Sequence, residues 1–233
     1  MHLSKRLTKV ASFVTKGNRV ADIGCDHGYV PIYLVRQGIA ETAIAADVRK
    51  GPLSRAQEHI KEYGLENRIE TRLSDGLEKI MPGEAQSIIM AGMGGLLMIR
   101  LLTLGKETAK RADELILSPQ SDLDEFRRFM VKDGYSICRE SMIKEEGKYY
   151  FIFYVKPETD TRVWSDAEYA YGKEFEADCA ALVKEYLTVQ IKKQKDLRQR
   201  LTEQALNAKE RIAALDAEIA LAQTRLELLE KKG

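Results

Sequence analysis

The 233-residue chain has room for one large domain, or for one domain with an appendage. Its apolar runs, such as residues 87–93, are far too short to cross a bilayer, and residues 1–19 lack the apolar core of an export signal, so no membrane association and a cytoplasmic location are expected. Three scattered cysteines, Cys25, Cys138 and Cys179, have no zinc spacing and argue against a disulfide framework, while a net charge of +1 conceals two basic bands.

The first band, Lys5, Arg6, Lys9, Lys16 and Arg19, overlaps a helical stripe of Leu3, Leu7, Val10 and Val14 that stops at Gly17. Residues 19–24 read as a buried strand, followed by a loop and a helix whose first turn carries Pro31 and whose end is Gly38. Residues 43–46 form a second strand closed by Asp47, and residues 52–63 a helix ended by Gly64. Strands follow at 68–73, 87–91 and 114–117, with helices at 96–104 and 122–132. Residues 135–144 and 149–156 read as a hairpin around Glu146 and Gly147. The alternation predicts an α/β fold with a mostly parallel sheet and an antiparallel edge.

Beyond Pro157 no strand signal remains. Ser165 and Glu168 have capping-box spacing, and Phe175, Cys179, Leu182, Tyr186 and Val189 form an apolar stripe. From Leu201, a seam of Ala205, Ala208, Ile212, Leu215, Ile219, Ala222, Leu226 and Leu229 steps by four and three. Two helices folded back on each other, with a turn within 202–209 near Asn207, are the simplest reading; one long dimerising helix is the rival. The second basic band, Lys192, Lys193, Lys195, Arg198 and Arg200, lies here. The domains are therefore expected at 1–160 and 161–233. Two such bands suit a polyanion, and equally a solvated helix face.

The chemistry concentrates in the loop after the first strand: Asp22, Gly24, Cys25, Asp26, His27, Gly28 and Tyr29. Glycines there let a ligand approach the backbone, and Asp47 stands where a ribose-binding carboxylate is expected. Charge selects the ligand. Asp22 and Asp26 repel a pyrophosphate, disfavouring NAD, but suit S-adenosylmethionine (SAM), which carries a sulfonium and an ammonium. Asp75, read as ending the third strand, and Gly76 beside it are placed at its adenine. A second loop, Ala91, Gly92, Met93, Gly94 and Gly95, follows the fourth strand and should face the first across the switch point. Ala91, Gly92 and Met93 are expected on the cofactor side, and Gly94 and Gly95 on the substrate side. Pro119 and Gln120, ending the fifth strand, are further substrate candidates. Each acid also has a plain structural reading: Asp26 as a helix cap, Asp47 as a turn residue. Cys25 reads as packing, and no metal is expected.

The motif from Asp22 to Tyr29 with Pro31, Ile32, Tyr33 and Leu34, then the Ala91–Gly95 loop, then Leu115 to Gln120, resembles the bacterial TrmK family. The resemblance extends over essentially the whole chain, although the C-terminal helices match only in character. It implies a Rossmann-like SAM-dependent methyltransferase domain with a C-terminal helical coiled-coil domain, acting on N1 of adenine 22 of tRNA. It implies catalytic roles for Asp26, His27 and Tyr29, with Asp26 stabilising positive charge on the base and the two rings stacking on it. It implies tRNA as partner, with Lys5 and Arg6 contacting it, and a monomer. The alternatives are a small-molecule SAM enzyme whose coiled coil dimerises, and a non-catalytic RNA-binding protein of this fold.

Overall fold

The computed structural model describes residues 2–204 and 208–231. Its centre is β1 (Val20–Ile23), apolar except for Asp22, every residue of which is buried. Such a strand needs cover on both faces and both edges. Its edges are taken by β2 (Ala43–Asp47) and β4 (Ser87–Ala91), both parallel to it. Outside these lie β3 (Ile69–Leu73) and β5 (Glu114–Ser118), also parallel. An antiparallel edge of β6 (Ser136–Glu145) and β7 (Lys148–Lys156) completes the order β3-β2-β1-β4-β5-β7-β6. The expected hairpin turns at Glu146 and Gly147, whose φ values of 49° and 75° match the twist of a two-residue connection.

Alternation along each strand divides the core between the two faces. Val20 and Ile89 point toward α1 (Lys5–Ala11), α2 (Tyr29–Arg36) and α3 (Lys50–Glu62). Ala21, Ile88 and Met90 point toward α4 (Gly95–Leu104), α5 (Lys106–Arg111) and α6 (Leu123–Lys132). α5 is not anticipated by the periodicity, being short and polar; a bend at Gly105, where a Cβ would lie 2.4 Å from the Leu77 side chain, separates it from α4. α3 starts at Lys50, earlier than expected, because Pro52 is tolerated in a first turn whose N–H groups have no helical partner.

The C-terminal segment shares the second of these cores. α7 (Asp166–Tyr171) opens on the expected capping box, with the Glu168 N–H donating to Ser165 Oγ at 3.3 Å. α8 (Ala180–Gln204) and α9 (Lys209–Glu230) run antiparallel: Gln194 donates to Glu218 at 3.0 Å, and Arg198 pairs with Asp216. This arrangement replaces the single long helix; residues 205–207, at the expected turn, lie outside the described residues. The seam through Leu215, Ile219 and Ala222 is buried as expected. In the upstream stripe Cys179 is buried and Phe175, Leu182 and Tyr186 pack half-buried on the core, while Val183 and Leu187 widen it as its buried centre, because α8 packs on both β6 and α9.

Buried charge holds the joint between this segment and the sheet. Arg127 of α6 and Glu140 of β6 form an ion pair at 2.9 Å with both side chains fully buried. Arg127 also donates to the carbonyls of Tyr169 and Ala170, and Glu140 accepts the N–H groups of Lys173 and Glu174. Arg225 of α9, 1% exposed, donates to the carbonyls of Gly172 and Lys173. Arg127 Nη2 makes no hydrogen bond of its own, but the Glu140 carboxylate beside it and the carbonyls on Nη1 compensate the buried charge, a compensation that an unpaired guanidinium would lack.

Candidate active site

In an open α/β sheet, ligands bind beyond the carboxyl ends of the strands where the chain reverses direction across the sheet. Here that place lies between β1 and β4, and two adjoining cavities occupy it, of about 300 and 230 Å³. They share Gly24, Arg49, Ala91 and Gly92.

The larger cavity is lined by Asp47, Asp75, Gly76 and Met93, together with Val48 and Leu97. Asp47 is 3% exposed, and its Oδ1 accepts the Arg49 N–H at 2.8 Å, so its turn role and a ligand role coexist. Val48 and Leu97 stay 58% and 41% exposed, an apolar pair suited to the faces of a planar ring. Asp75 does not end a strand, since β3 stops at Leu73; it stands in the next loop and pairs with Arg100 at 3.2 Å. Gly76 has φ +59°, and a Cβ there would lie 2.6 Å from Leu101. Gly24 has φ +76°, which favours glycine, although a Cβ there would meet only the flexible end of Met93, with Cε at 3.0 Å.

The smaller cavity is lined by Arg6, Asp22, Cys25, Asp26, His27 and Tyr29. Asp22 is buried; desolvation, reinforced by Asp47 and opposed by Arg6, pushes its carboxyl up to about 7. Burial, with Asp22, Asp47 and Asp26 nearby, pushes the Cys25 thiol up, which fits a packing residue and not a nucleophile. Asp26 has φ +49°, left-handed backbone that a glycine adopts freely, and its side chain is 59% exposed at the cavity rim. The capping alternative does not describe it: α2 has Gly28 as N-cap and no side-chain cap bond. Strained carboxylates on loops concentrate at functional sites.

His27 and Tyr29 stack with centroids 5.3 Å apart, 9° from coplanar. A third ring, His59 of α3, which sequence reasoning missed, stacks on Tyr29 at 5.2 Å, and its Nδ1 lies 2.9 Å from the His27 carbonyl. The close seating of Gly28 on Ala56, with 3.1 Å for a notional Cβ, brings α3 within reach.

Other expected residues serve differently. A Cβ on Gly95 would lie 2.4 Å from the Ser121 carbonyl, so this glycine seats α4 against the β5–α6 loop instead of opening room for a substrate. Gly94 faces the Ser121 hydroxyl in the same contact. Pro119 is buried; Gln120 is exposed, its N–H donates to the Met93 carbonyl at 3.0 Å, and its side-chain amide lies near Gly92. The backbone N–H of Lys5 donates to Glu145 at 2.7 Å, and Lys9 is committed to Glu176 at 2.8 Å. Among the described residues no cluster suits a metal ion, and no helix is long and apolar enough to cross a membrane.

The cavities together suit a nucleoside bearing positive charge, beside a second flat ring. Comparison with known proteins agrees. A methyltransferase-domain model matches residues 3–153. The tRNA (adenine(22)-N(1))-methyltransferase of Bacillus subtilis (strain 168) is 39% identical over 152 residues, 65% of this chain; the match spans 64% of that enzyme's length. A Streptococcus pneumoniae protein provisionally assigned as a tRNA (m1A22) methyltransferase, solved with SAM, superposes with TM-score 0.81 at 33% identity, covering 97% of this chain and 100% of that one. Mycoplasma capricolum TrmK, solved with S-adenosyl-homocysteine, gives TM-score 0.86 at 25% identity over 98% of this chain and 100% of that one.

Proposed function

The chain belongs to the methyltransferase-domain family and, within it, to the TrmK tRNA methyltransferases, and from that premise we propose that it transfers a methyl group from SAM to N1 of adenine 22 of tRNA. The observation that carries this reading is the pair of joined cavities, one bounded by ribose-type carboxylates and apolar flanks, the other by stacked rings and Asp26. The residues present fit the cofactor. Asp47 is placed for ribose hydroxyls, Val48 and Leu97 for the adenine faces and Asp75 for its edge, while the carboxylates favour a cation over a pyrophosphate.

When bound, SAM supplies an electrophilic methyl group on a positively charged sulfur. Adenine N1 has a free lone pair, so no side chain must remove a proton before attack. The protein's tasks are to hold the base in line and to balance the positive charge that moves onto it. Tyr29, 40% exposed and backed by His27 and His59, offers a stacking face for a base drawn out of its own stack. Asp26 sets a carboxylate beside that face. Its distance of 3.6 Å from His27 Nε2 holds the two side chains at one rim. Gly92, with φ +87°, keeps the floor between the two cavities free of a side chain.

tRNA is the proposed partner, and the exposed residues Lys192, Lys193, Lys195 and Arg200 of α8 are its proposed contacts away from the site. The test is incubation of the full chain with methyl-labelled SAM and unmodified tRNA transcripts, followed by nucleoside analysis. Label in 1-methyladenosine that disappears when adenine 22 is replaced by guanine is the expected result; label elsewhere, or none, refutes the proposal.

A further inference from the structure

Tyr29 and His27 are held at the rim of the smaller cavity mainly by stacking, and the buried Nδ1 of His27 has no hydrogen-bond partner among the described residues. His59 differs. A carbonyl only accepts, so the 2.9 Å contact between His59 Nδ1 and the His27 carbonyl requires Nδ1 to be the donor. Among the described residues it is the one ring of the three tied to the backbone by a hydrogen bond.

The rings do not form a column. The His27 and His59 centroids are 5.8 Å apart, little more than the 5.3 and 5.2 Å that separate each from Tyr29. Imidazoles on opposite faces of Tyr29 would lie much farther from each other than from it, so both lie on one side. Among the described residues no further ring and no cation stacks on Tyr29, which leaves its other face for a flat ligand.

His59 stands on a firm base. α3 buries Leu53, Ala56 and Ile60, and Gly28 seats against Ala56. The loop that His59 ties down has left-handed backbone on both sides of His27, at Asp26 (φ 49°) and Gly28 (φ 71°), and no side chain caps α2. A hydrogen bond to the His27 carbonyl therefore fixes the 27–28 peptide, midway between Asp26 and Tyr29. His59 itself lines neither cavity, so whatever it does is done through these neighbours.

Building on the methyl-transfer reading, we infer that His59 is a positioning residue for the transfer: from α3 it clamps the 27–28 peptide and backs Tyr29, so that the free face of Tyr29 and the carboxylate of Asp26 meet the same adenine. The ring and the donor contribute separately, one to the stacking platform and the other to the loop that carries Asp26.

Three variants of the full chain separate the two contributions. His59→Ala removes both, His59→Phe keeps a ring without a donor, and His59→Asn keeps a donor near the Nδ1 position without the ring. The single-turnover rate of adenine-22 methylation at saturating SAM and tRNA should fall roughly 10- to 100-fold in His59→Ala, the cost of a misplaced reacting pair, and His59→Phe and His59→Asn should each recover part of it. S-adenosylhomocysteine affinity by calorimetry and tRNA affinity by filter binding should stay within about twofold of the parent, so the loss appears in the rate and not in binding. The Phe and Asn variants also serve if His59→Ala melts early. An unchanged rate in His59→Ala overturns the inference. So does a rate loss matched by an equal loss of S-adenosylhomocysteine affinity, which makes His59 a general prop of the loop, and so does recovery in neither of the other variants. If the parent methylates no adenine 22, the methyl-transfer reading fails as well; parental transfer with unaltered variants removes this inference alone.

Discussion

Asp26 is held in left-handed backbone at a position where glycine is the easy choice, with its carboxylate at the cavity rim where it can meet positive charge entering the cavity. Asparagine tolerates the same backbone, which makes Asp26→Asn a test of charge alone. Single-turnover methylation with saturating tRNA should slow roughly a hundredfold, with the melting temperature and S-adenosylhomocysteine affinity nearly unchanged. A rate near that of the parent returns Asp26 to a structural role. Asp22 gives a second expectation, through pH. Burial, reinforced by Asp47 and opposed by Arg6, brings its carboxyl to about 7, and Asp26 and the Cys25 thiol line the same cavity. A ligand ammonium binds the ionised form, so S-adenosylhomocysteine affinity should rise about tenfold from pH 6 to 8, and Asp22→Asn should flatten the rise. Stability runs the other way. The folded group keeps its proton above the unfolded value of 3.8, so the unliganded protein loses stability as pH rises from there to about 7. Melting curves should show Asp22→Asn gaining on the parent across that window and levelling above it.

At the level of elements, the Arg127–Glu140 pair fastens α6, β6 and the segment entering α8 into one joint. Removing one partner strands the other charge. Arg127→Met should therefore destabilise the protein by about 3–5 kcal/mol in urea unfolding, while Glu140→Gln, still able to accept the Lys173 N–H, should cost less. These elements also show how far the sequence can be read. β1, β2 and β4 are short, mostly apolar runs that end at or beside glycine or aspartate, and the Ser165 capping box is a local signal, so both are legible. Arg127, Glu140 and Arg225 are not, because a buried charge has the same letter as a solvated one and its partner lies far along the chain. His59 escapes for a related reason: it meets Tyr29 only because Gly28 seats on Ala56. Gly95 was legible as a glycine that matters, but what it touches, the Ser121 carbonyl, was not.

For the whole molecule, the exposed lysines of α8 stand apart from the cleft, so binding and chemistry should separate experimentally. Replacing Lys192, Lys193 and Lys195 by glutamate should weaken tRNA binding and lower the slope of log affinity against log salt by about 2–3, while S-adenosylhomocysteine affinity stays constant. Removing the helices outright is a poorer experiment. Trp164, Tyr171, Cys179, Val183, Leu187 and Ala222 fill the same core as the sheet, and a cut near Pro157 uncovers Glu140. That shared core also has a mechanical meaning. α8 and α9 form an arm whose fulcrum is the set of rigid hydrogen bonds at Glu140 and Arg225. Arg127 lies on α6, and the loop leading into α6 is the one on which Gly95 rests at the edge of the cleft. The arm, α6 and the β4–α4 edge of the cleft are thus joined by one continuous set of buried contacts.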